Sequence, residues 1–483
     1  MDRTTTILTT LVVYKAALLG IGYWASRMTK DRDDLYLGGR QLGPVVAAMS
    51  ASASSSSVWT LLGVSGMAFQ TGLASLWLFP CCVGGFAINW FLLAPRLRQH
   101  SRDTGAVTLT DVLAGAQDRP GRQWIVRLAA MITLASLLGY VASQLAGASL
   151  SFESFLPELD PRAGVVAGGV IVVLYMMMGG FWAVSLTDTL QGVMMALTAL
   201  ALPIAALCAV GGFGPLFEQL PELTRGQAGY LSLTKGLPLV TAVGFVLGLL
   251  GIPLGYPGQP HVVNRFMALR DARALRHARV YAMVWAVLVY SGMILTGLCG
   301  RVLLRAVPDG YDNEQMFFDL SAMLFHPVVT GIMLAAVLSA IMSTADSQLL
   351  VAASTVNHDL GLAKRVRARG ILLDRLVILA LTTGAVVAAL GTDQSIFHQV
   401  LFAWSGMGAA FGPLLVWLLW RGPVRVRSTL WTMGVAFGIN VVGHLGDVNK
   451  LWKLQKVDSQ FLPYVAAIAV LWWMEGRRQR SGE

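Results

Sequence analysis

The chain has 483 residues, of which 55% are hydrophobic and 13% charged. Soluble proteins carry about 25% charged residues, so a soluble multidomain enzyme is excluded, and repeated apolar runs near 20 residues indicate an all-α polytopic membrane protein. The net charge of +10 lies in short loops between the runs, which points to membrane orientation and not to a nucleic-acid partner.

About thirteen spans are predicted, centred near residues 16, 57, 86, 138, 174, 200, 248, 290, 338, 382, 408, 437 and 468. The first, from about Ile7 to Ala25, contains Lys15 and has little basic lead-in. It reads as a retained span and not as a signal peptide. Alternate loops are rich in arginine: Arg27, Lys30, Arg32 and Arg40, then Arg96, Arg98 and Arg102, then Arg265 to Arg279. The later ones hold Lys364 to Arg369, Arg421 to Arg427 and Arg477 to Arg480. The positive-inside rule makes this set cytoplasmic, with the N-terminus outside and the C-terminus inside. Cys81, Cys82, Cys208 and Cys299 all sit in apolar runs and read as small core residues. No polar stretch marks a second domain, so residues 1–483 form a single transmembrane unit.

The second span reads AAMSASASSSSVWT and is interrupted at Ser52–Ser57. Hydroxyls and a weakened helix are costly in hydrocarbon unless the protein interior uses them. On the fourth span Tyr140 and Gln144 stand one turn apart. Asp188 falls in AVSLTDTLQ, read as a short cytoplasmic turn between the fifth and sixth spans. The seventh span reads GFVLGLLGIPLGYPGQPH, broken by Pro253, Pro257 and Pro260. The two breaks lie five spans apart and so enter the membrane from opposite sides. That is the pattern of an inverted five-plus-five repeat with two discontinuous helices. Residues from about 42 to 260 hold the first repeat and the start of the second, and 238–420 the second repeat.

The ninth span places Ala340, Ser343, Thr344 and Ser347 on one helical face. The Ala340 carbonyl and the Ser343 and Thr344 hydroxyls offer three oxygens within one turn. Carbonyls freed at the first break, at Ala53 and Ser56, supply others, which suits a hard monovalent cation. Asp346 lies near the inner end of this span, and a carboxylate at membrane depth usually lines a cavity or binds an ion. Trp59, Tyr140, Gln144 and Tyr256 make an aromatic-walled pocket for a small zwitterion or carboxylate. There is no nucleotide-binding glycine motif, metal-ligand cluster or nucleophile–base pair, so an enzyme is not expected.

GGRQLGPVVAAMSA, Trp59 with GVSG, Ile88-Asn89-Trp90, GGFWAVSLTDTLQ, GYPGQPH and AIMSTADSQLLVAAS follow one another in order. Together they resemble the sodium:solute symporter family, most of all the bacterial sodium/proline symporters, from about Leu35 to Asn357. The resemblance implies Na⁺-driven import of a small organic solute, an amino acid such as proline or a related zwitterion or carboxylate, by alternating access. It places the principal Na⁺ site at Ala53, Ser56, Ala340, Ser343 and Thr344. A second Na⁺ site of some relatives maps to Asp188, Ser343, Asp346 and Ser347. Arg40 resembles a coupling arginine, and the proline-type pocket maps to Trp59, Tyr140, Tyr256 and Pro260. Two positions depart from the proline symporters. Ser55 stands where they carry an intramembrane Asp, so Ser55 and Asp346 are expected to line one cavity and share the coupling role. Ile252 stands where they carry a Trp, which predicts a solute bulkier than proline. The resemblance further implies the bacterial cytoplasmic membrane, a lipid bilayer and a solute as partners, and no obligatory protein partner. Two other classes compete. A channel would be plugged by Trp59, Tyr140 and Tyr256, whereas a transport-like sensor would work through a separate signalling partner.

Overall fold

The computed structural model describes residues 3–26, 37–156, 158–177, 180–223, 229–305, 307–308, 310–365, 371–391, 396–445 and 460–481. Among the described residues every regular element is a helix, and nine helices are long and apolar enough to cross a membrane. All the expected span centres fall inside helices except residue 57, which falls in a break. Of the expected loop cations, Arg27, Lys30, Arg32, Arg367 and Arg369 lie outside the described residues.

We number the longer helices α1 (Arg3–Ser26), α2 (Pro44–Ser55), α3 (Val64–Thr71), α4 (Leu78–Ala87), α5 (Ala94–Thr104), α6 (Leu109–Ala114) and α7 (Arg122–Glu153). Then follow α8 (Pro161–Met176), α9 (Phe181–Val210), α10 (Phe213–Leu223), α11 (Leu239–Gly255), α12 (Pro260–Ala268) and α13 (Ala272–Leu303). The last are α14 (Met316–Leu324), α15 (Pro327–Ser354), α16 (Ile371–Leu390), α17 (Ile396–Arg421), α18 (Val426–Leu445) and α19 (Leu462–Ser481). Helices α2, α9, α12, α13 and α15 pack together as the centre, with α1 against α15 and α9, and α17 against α7 and α11.

The first break is narrower than the sequence suggests. Ser52 to Ser55 remain helical, and the chain leaves α2 at Ser56, with φ −119° and ψ 79°. Ser55 Oγ donates to the Ser52 carbonyl at 3.1 Å, within the helix, so this serine does not interrupt it. Across the gap the side chains take over backbone partners. Val58 N donates to Gln144 Oε1 at 3.2 Å, and Trp59 N to Ser57 Oγ at 3.2 Å. The helix then resumes through a π-turn at Trp59–Gly63.

The second break also sits later than expected. Pro253 is carried inside α11, and the interruption is a 3₁₀ turn at Tyr256–Gly258 followed by extended Gln259. Pro260 has no N–H, so the Tyr256 carbonyl loses its helical donor. Asn89 Nδ2 fills that place at 3.1 Å. The extended Gln259 turns its own N–H away from Gly255 O, and its side-chain Nε2 serves that carbonyl instead at 3.0 Å, together with Trp404 O at 2.9 Å. Buried backbone groups are thus still partnered, as an apolar interior demands. Leu42, just before α2, pairs with Leu269, just after α12, through Leu42 N to Ala268 O at 3.1 Å and Arg270 N to Leu42 O at 3.2 Å. The two broken segments are therefore tied at one end.

Three of the four cysteines are buried as expected, but Cys208 is exposed on α9 and is not a core residue. The central helices approach closely through small residues. A Cβ on Gly292 of α13 would come within 2.0 Å of the Ala199 carbonyl, and one on Gly297 within 2.2 Å of the Ser65 carbonyl. Gly292→Ala and Gly297→Ala are each expected to cost about 1–3 kcal/mol by forcing backbones apart. Gly84→Ala, with open space around it, is expected to leave stability unchanged. Thermal unfolding of the purified protein in detergent checks this, and equal midpoints for all three variants would contradict the packing account.

Candidate functional site

The end of α2 meets the face of α15 predicted to carry oxygens. Ser343 Oγ lies 3.2 Å from the Ala53 carbonyl and 3.2 Å from the Ala340 carbonyl. Thr344 Oγ1 lies 3.5 Å from Ala53 O and 3.5 Å from Ser54 O. All these residues are buried. Three carbonyl and two hydroxyl oxygens thus converge, with no nitrogen donor among these contacts, a set that suits a hard cation. The C-terminal end of a helix adds partial negative charge at the same place. The Ser56 side chain is engaged elsewhere, its hydroxyl 3.3 Å from Tyr290 Oη, so the expected cation ligand at this position is its carbonyl.

One turn further along, the acids are arranged differently from expectation. Asp188 is not at a turn. It lies inside α9 and is fully buried, because the helix begins at Phe181, after Gly180 takes an extended conformation. Its Oδ2 accepts from Ser50 Oγ at 2.7 Å, Ser54 Oγ at 3.2 Å and Arg265 Nη2 at 3.1 Å, with Ser347 Oγ at 3.5 Å. Arg265, read in the sequence as a loop cation, is 1% exposed and belongs to α12. Arg265 Nε donates to Ser50 Oγ at 3.1 Å, Nη2 to Ser347 Oγ at 2.5 Å and Nη1 to the His261 carbonyl. Ser54 and Ser347 hydroxyls lie 2.8 Å apart. Asp188 and Ser347, assigned to a second Na⁺ site by resemblance, are therefore brought together around a guanidinium. Asp346 is fully buried beside them, and among the described residues neither of its carboxylate oxygens has a hydrogen-bond partner.

The aromatic residues close a small cavity lined by Ser55, Trp59, Tyr140, Ile252, Tyr256, Val400, Leu401 and Trp404. Tyr140 Oη donates to Ser57 Oγ at 3.4 Å, and Tyr256 and Tyr290 hydroxyls lie 3.3 Å apart. Trp404 packs edge-on to Tyr256, with centroids 4.7 Å apart, and donates Nε1 to Ile252 O at 3.0 Å. Trp404 of α17 thus stands beside Ile252 in the cavity wall. Gln144 and Pro260 do not line this cavity. Gln144 caps the resumed helix, and Pro260 opens α12 beside a different small cavity. Nor do Ser55 and Asp346 share it. Ser55 faces the aromatic cavity, whereas Ser54, about 100° around the helix, reaches Asp188 and Ser347.

Arg40 lies apart from both groups, donating to Ser101 Oγ at 2.9 Å and to Ala106 O at 3.0 Å. The fold also gathers Asp111, His358 and Asp359, a trio with metal-ligating atoms that no sequence spacing announces. Arg122 sits 2.7 Å from Asp111, and His358 Nε2 lies 3.1 Å from it. Burial pushes the Asp111 carboxyl up, but His358 and Arg122 outweigh it and hold it below the ordinary carboxylate value. A carboxylate already paired with a guanidinium reads as a tie between α6, α7 and the end of α15 and not as a metal site.

Residues 35–435 match the family model of the sodium:solute symporter family. The chain belongs to that family. It is 37% identical over 422 residues to the osmoregulated proline transporter of Bacillus subtilis, covering 86% of this chain and 84% of that one. It is 34% identical over 437 residues to the sodium/proline symporter of Escherichia coli, covering 88% and 85%. Among solved structures, a Na⁺-coupled sialic acid symporter superposes with a TM-score of 0.75 at 18% identity, over 97% of this chain and 98% of that one, a likeness of fold. The symporter is thus a transmembrane transport protein and not an enzyme, and Na⁺ is its coupling ion.

Two functional positions escape the sequence reading. Arg265 hides in a series of arginines, although it stands five residues before the next one in an otherwise apolar segment. Trp404 carries no motif, and its role emerges only from the packing of α17 on the second break. The Arg265–Asp188 pair makes a direct test. Removing one partner of a buried pair typically costs about 3–5 kcal/mol, because the other charge is left behind. Arg265→Gln is expected to lose that much thermal stability, and Arg265→Gln with Asp188→Asn to regain most of it. Additive losses in the double variant would contradict the pairing.

Proposed function

We propose that this symporter imports a compact zwitterionic amino acid, proline foremost, together with Na⁺ by alternating access across the bacterial cytoplasmic membrane. The reading includes thirteen crossings, an inverted five-plus-five core, a single transporter domain, and the N-terminus outside. The observation that carries it is the dual use of one helix end. Ala53 presents its carbonyl to Ser343 and Thr344, while Ser55, two residues on, lines the aromatic cavity. Na⁺ at Ala53, Ser56, Ala340, Ser343 and Thr344, with the Ser54 carbonyl beside them, draws the end of α2 onto α15. The same movement sets the position of Ser55 and of the turn to Trp59. Binding of ion and solute is then coupled through the backbone, with no contact between them required.

The chemistry of the lining suits the solute class, in a cavity that must widen to admit it. Tyr140, Tyr256, Trp59 and Trp404 offer apolar faces with a few hydroxyl and indole donors. The half-helix that resumes at Val58 turns its positive end toward the break, where a carboxylate is favoured. Ile252 alone predicts a solute bulkier than proline, but Trp404 packs on Tyr256 and the Ile252 carbonyl and returns an aromatic surface to this wall, which favours a compact one. The names of the related proline transporters support the same choice. One Na⁺ entering down about 100 mV provides roughly 2.3 kcal/mol, and a tenfold gradient adds about 1.4 kcal/mol. Together they sustain solute accumulation on the order of a few hundredfold.

Membrane vesicles given an inward Na⁺ gradient are expected to accumulate labelled proline above the external concentration. Equilibration without accumulation would contradict the symport reading. Ser343→Ala and Thr344→Ala each remove one cation oxygen. Each is expected to raise the Na⁺ concentration for half-maximal uptake about tenfold, corresponding to about 1.4 kcal/mol, at unchanged protein abundance. An unaltered Na⁺ dependence would remove these residues from the site.

A further inference from the structure

The principal oxygen cluster carries no formal charge, yet two buried acids stand beside it. Asp188 is matched by Arg265. Asp346 is enclosed, with both carboxylate oxygens lacking a hydrogen-bond partner among the described residues. Among the described residues, the charged groups near Asp346 are Asp188, Lys15 and Arg265. Arg265 is already committed to Asp188, Ser50, Ser347 and the His261 carbonyl.

Lys15 comes from α1, outside the two predicted repeats. It lies about 18 Å from the start of the helix at 1.5 Å per residue, at the depth of the hydrocarbon core. Val12 and Val13 face outward, 65% and 64% exposed, while Lys15 is partly buried. Tyr14 Oη meets Ser339 Oγ at 2.6 Å, and Lys15 Nζ lies 2.7 Å from Met342 Sδ. Met342 stands one turn before Asp346 on the same helix. A thioether is a weak acceptor for an ammonium with three donors. Among the described residues, a carboxylate without a hydrogen-bond donor thus stands one helical turn from the methionine whose thioether, with the Tyr14 ring, holds an ammonium, in a medium where either charge alone is costly.

We propose, on the basis of the symporter reading above, that Lys15 is a tethered counter-cation for Asp346, so that the protein's own charges fill the second cation position and one Na⁺ is carried per solute. Two acids and two bases then balance within the core. A second Na⁺ added there would leave an uncompensated positive charge in a low-dielectric interior. Lys15 is a positioning residue in this scheme: it acts on ion binding through Asp346 and touches neither the principal oxygens nor the solute.

The test is equilibrium binding of radiolabelled Na⁺ to the purified full-length protein, alongside the Na⁺-to-proline flux ratio in proteoliposomes. The unmodified protein and Lys15→Arg are expected to bind one Na⁺ without cooperativity. Lys15→Met frees Asp346, so it is expected to bind two, with a Hill coefficient moving from one toward two. Lys15→Met with Asp346→Asn is expected to return to one. A single site with parental affinity in Lys15→Met would overturn the proposal, and so would two sites in the unmodified protein. If Lys15→Met fails to fold, recovery of folded protein in the double variant supports the pairing, and failure of both overturns it. Absence of Na⁺-driven uptake by the unmodified protein is separately readable, because it strikes the symporter reading while the binding counts still judge Lys15.

Discussion

A guanidinium and a carboxylate, both sealed from solvent, meet where four helices cross. Asp188 comes from α9, Arg265 from α12, Ser50 from α2 and Ser347 from α15. Neither charge is tolerable alone at this depth. The pair therefore obliges α12, the second half of a broken helix, to stay against α2, the first half of the other. The backbone pairing of Leu42 with Leu269 repeats the constraint at the helix ends. With both halves held, the two breaks are left opposite α15 and α17, and the oxygen cluster and aromatic cavity follow from that placement.

The breaks themselves are maintained by side chains standing in for backbone. Gln144 accepts from Val58 N, Asn89 donates to Tyr256 O and Gln259 donates to Gly255 O. Each supplies what serine or proline took away from the helix. The hydroxyls of Ser56, Tyr290 and Tyr256 run in sequence from the first break to the second, at 3.3 Å each. These contacts join the two interruptions, which belong to different repeats in the proposed fold.

Much of this was legible in the sequence for clear reasons. Long apolar runs can only be helices in a bilayer, so the span positions were readable. Ser343 and Thr344 share a helical face with Ala340, so their convergence follows from the 3.6-residue period. What depends on how helices rotate against one another was not legible. Ser54 and Ser55 are adjacent and chemically identical, yet one meets Asp188 and the other the aromatic cavity. Gln144 looks like a pocket amide and instead caps a helix. Arg265 looks like its loop neighbours until α12 is packed. Asp188 reads as part of a short turn between two spans, but the helix begins at Phe181, early enough to enclose it.

In the proposed mechanism ion and solute act through one helix end, Ala53 to Ser55. Linkage then requires reciprocity: Na⁺ must raise solute affinity by the same factor by which solute raises Na⁺ affinity. The direct measurement is equilibrium binding of labelled proline to the purified symporter across Na⁺ concentrations, paired with Na⁺ binding across proline concentrations. The account predicts matching factors of at least about fivefold, the lower end of ordinary allosteric coupling. Independent binding, with proline affinity the same in Na⁺ and in K⁺, would contradict it.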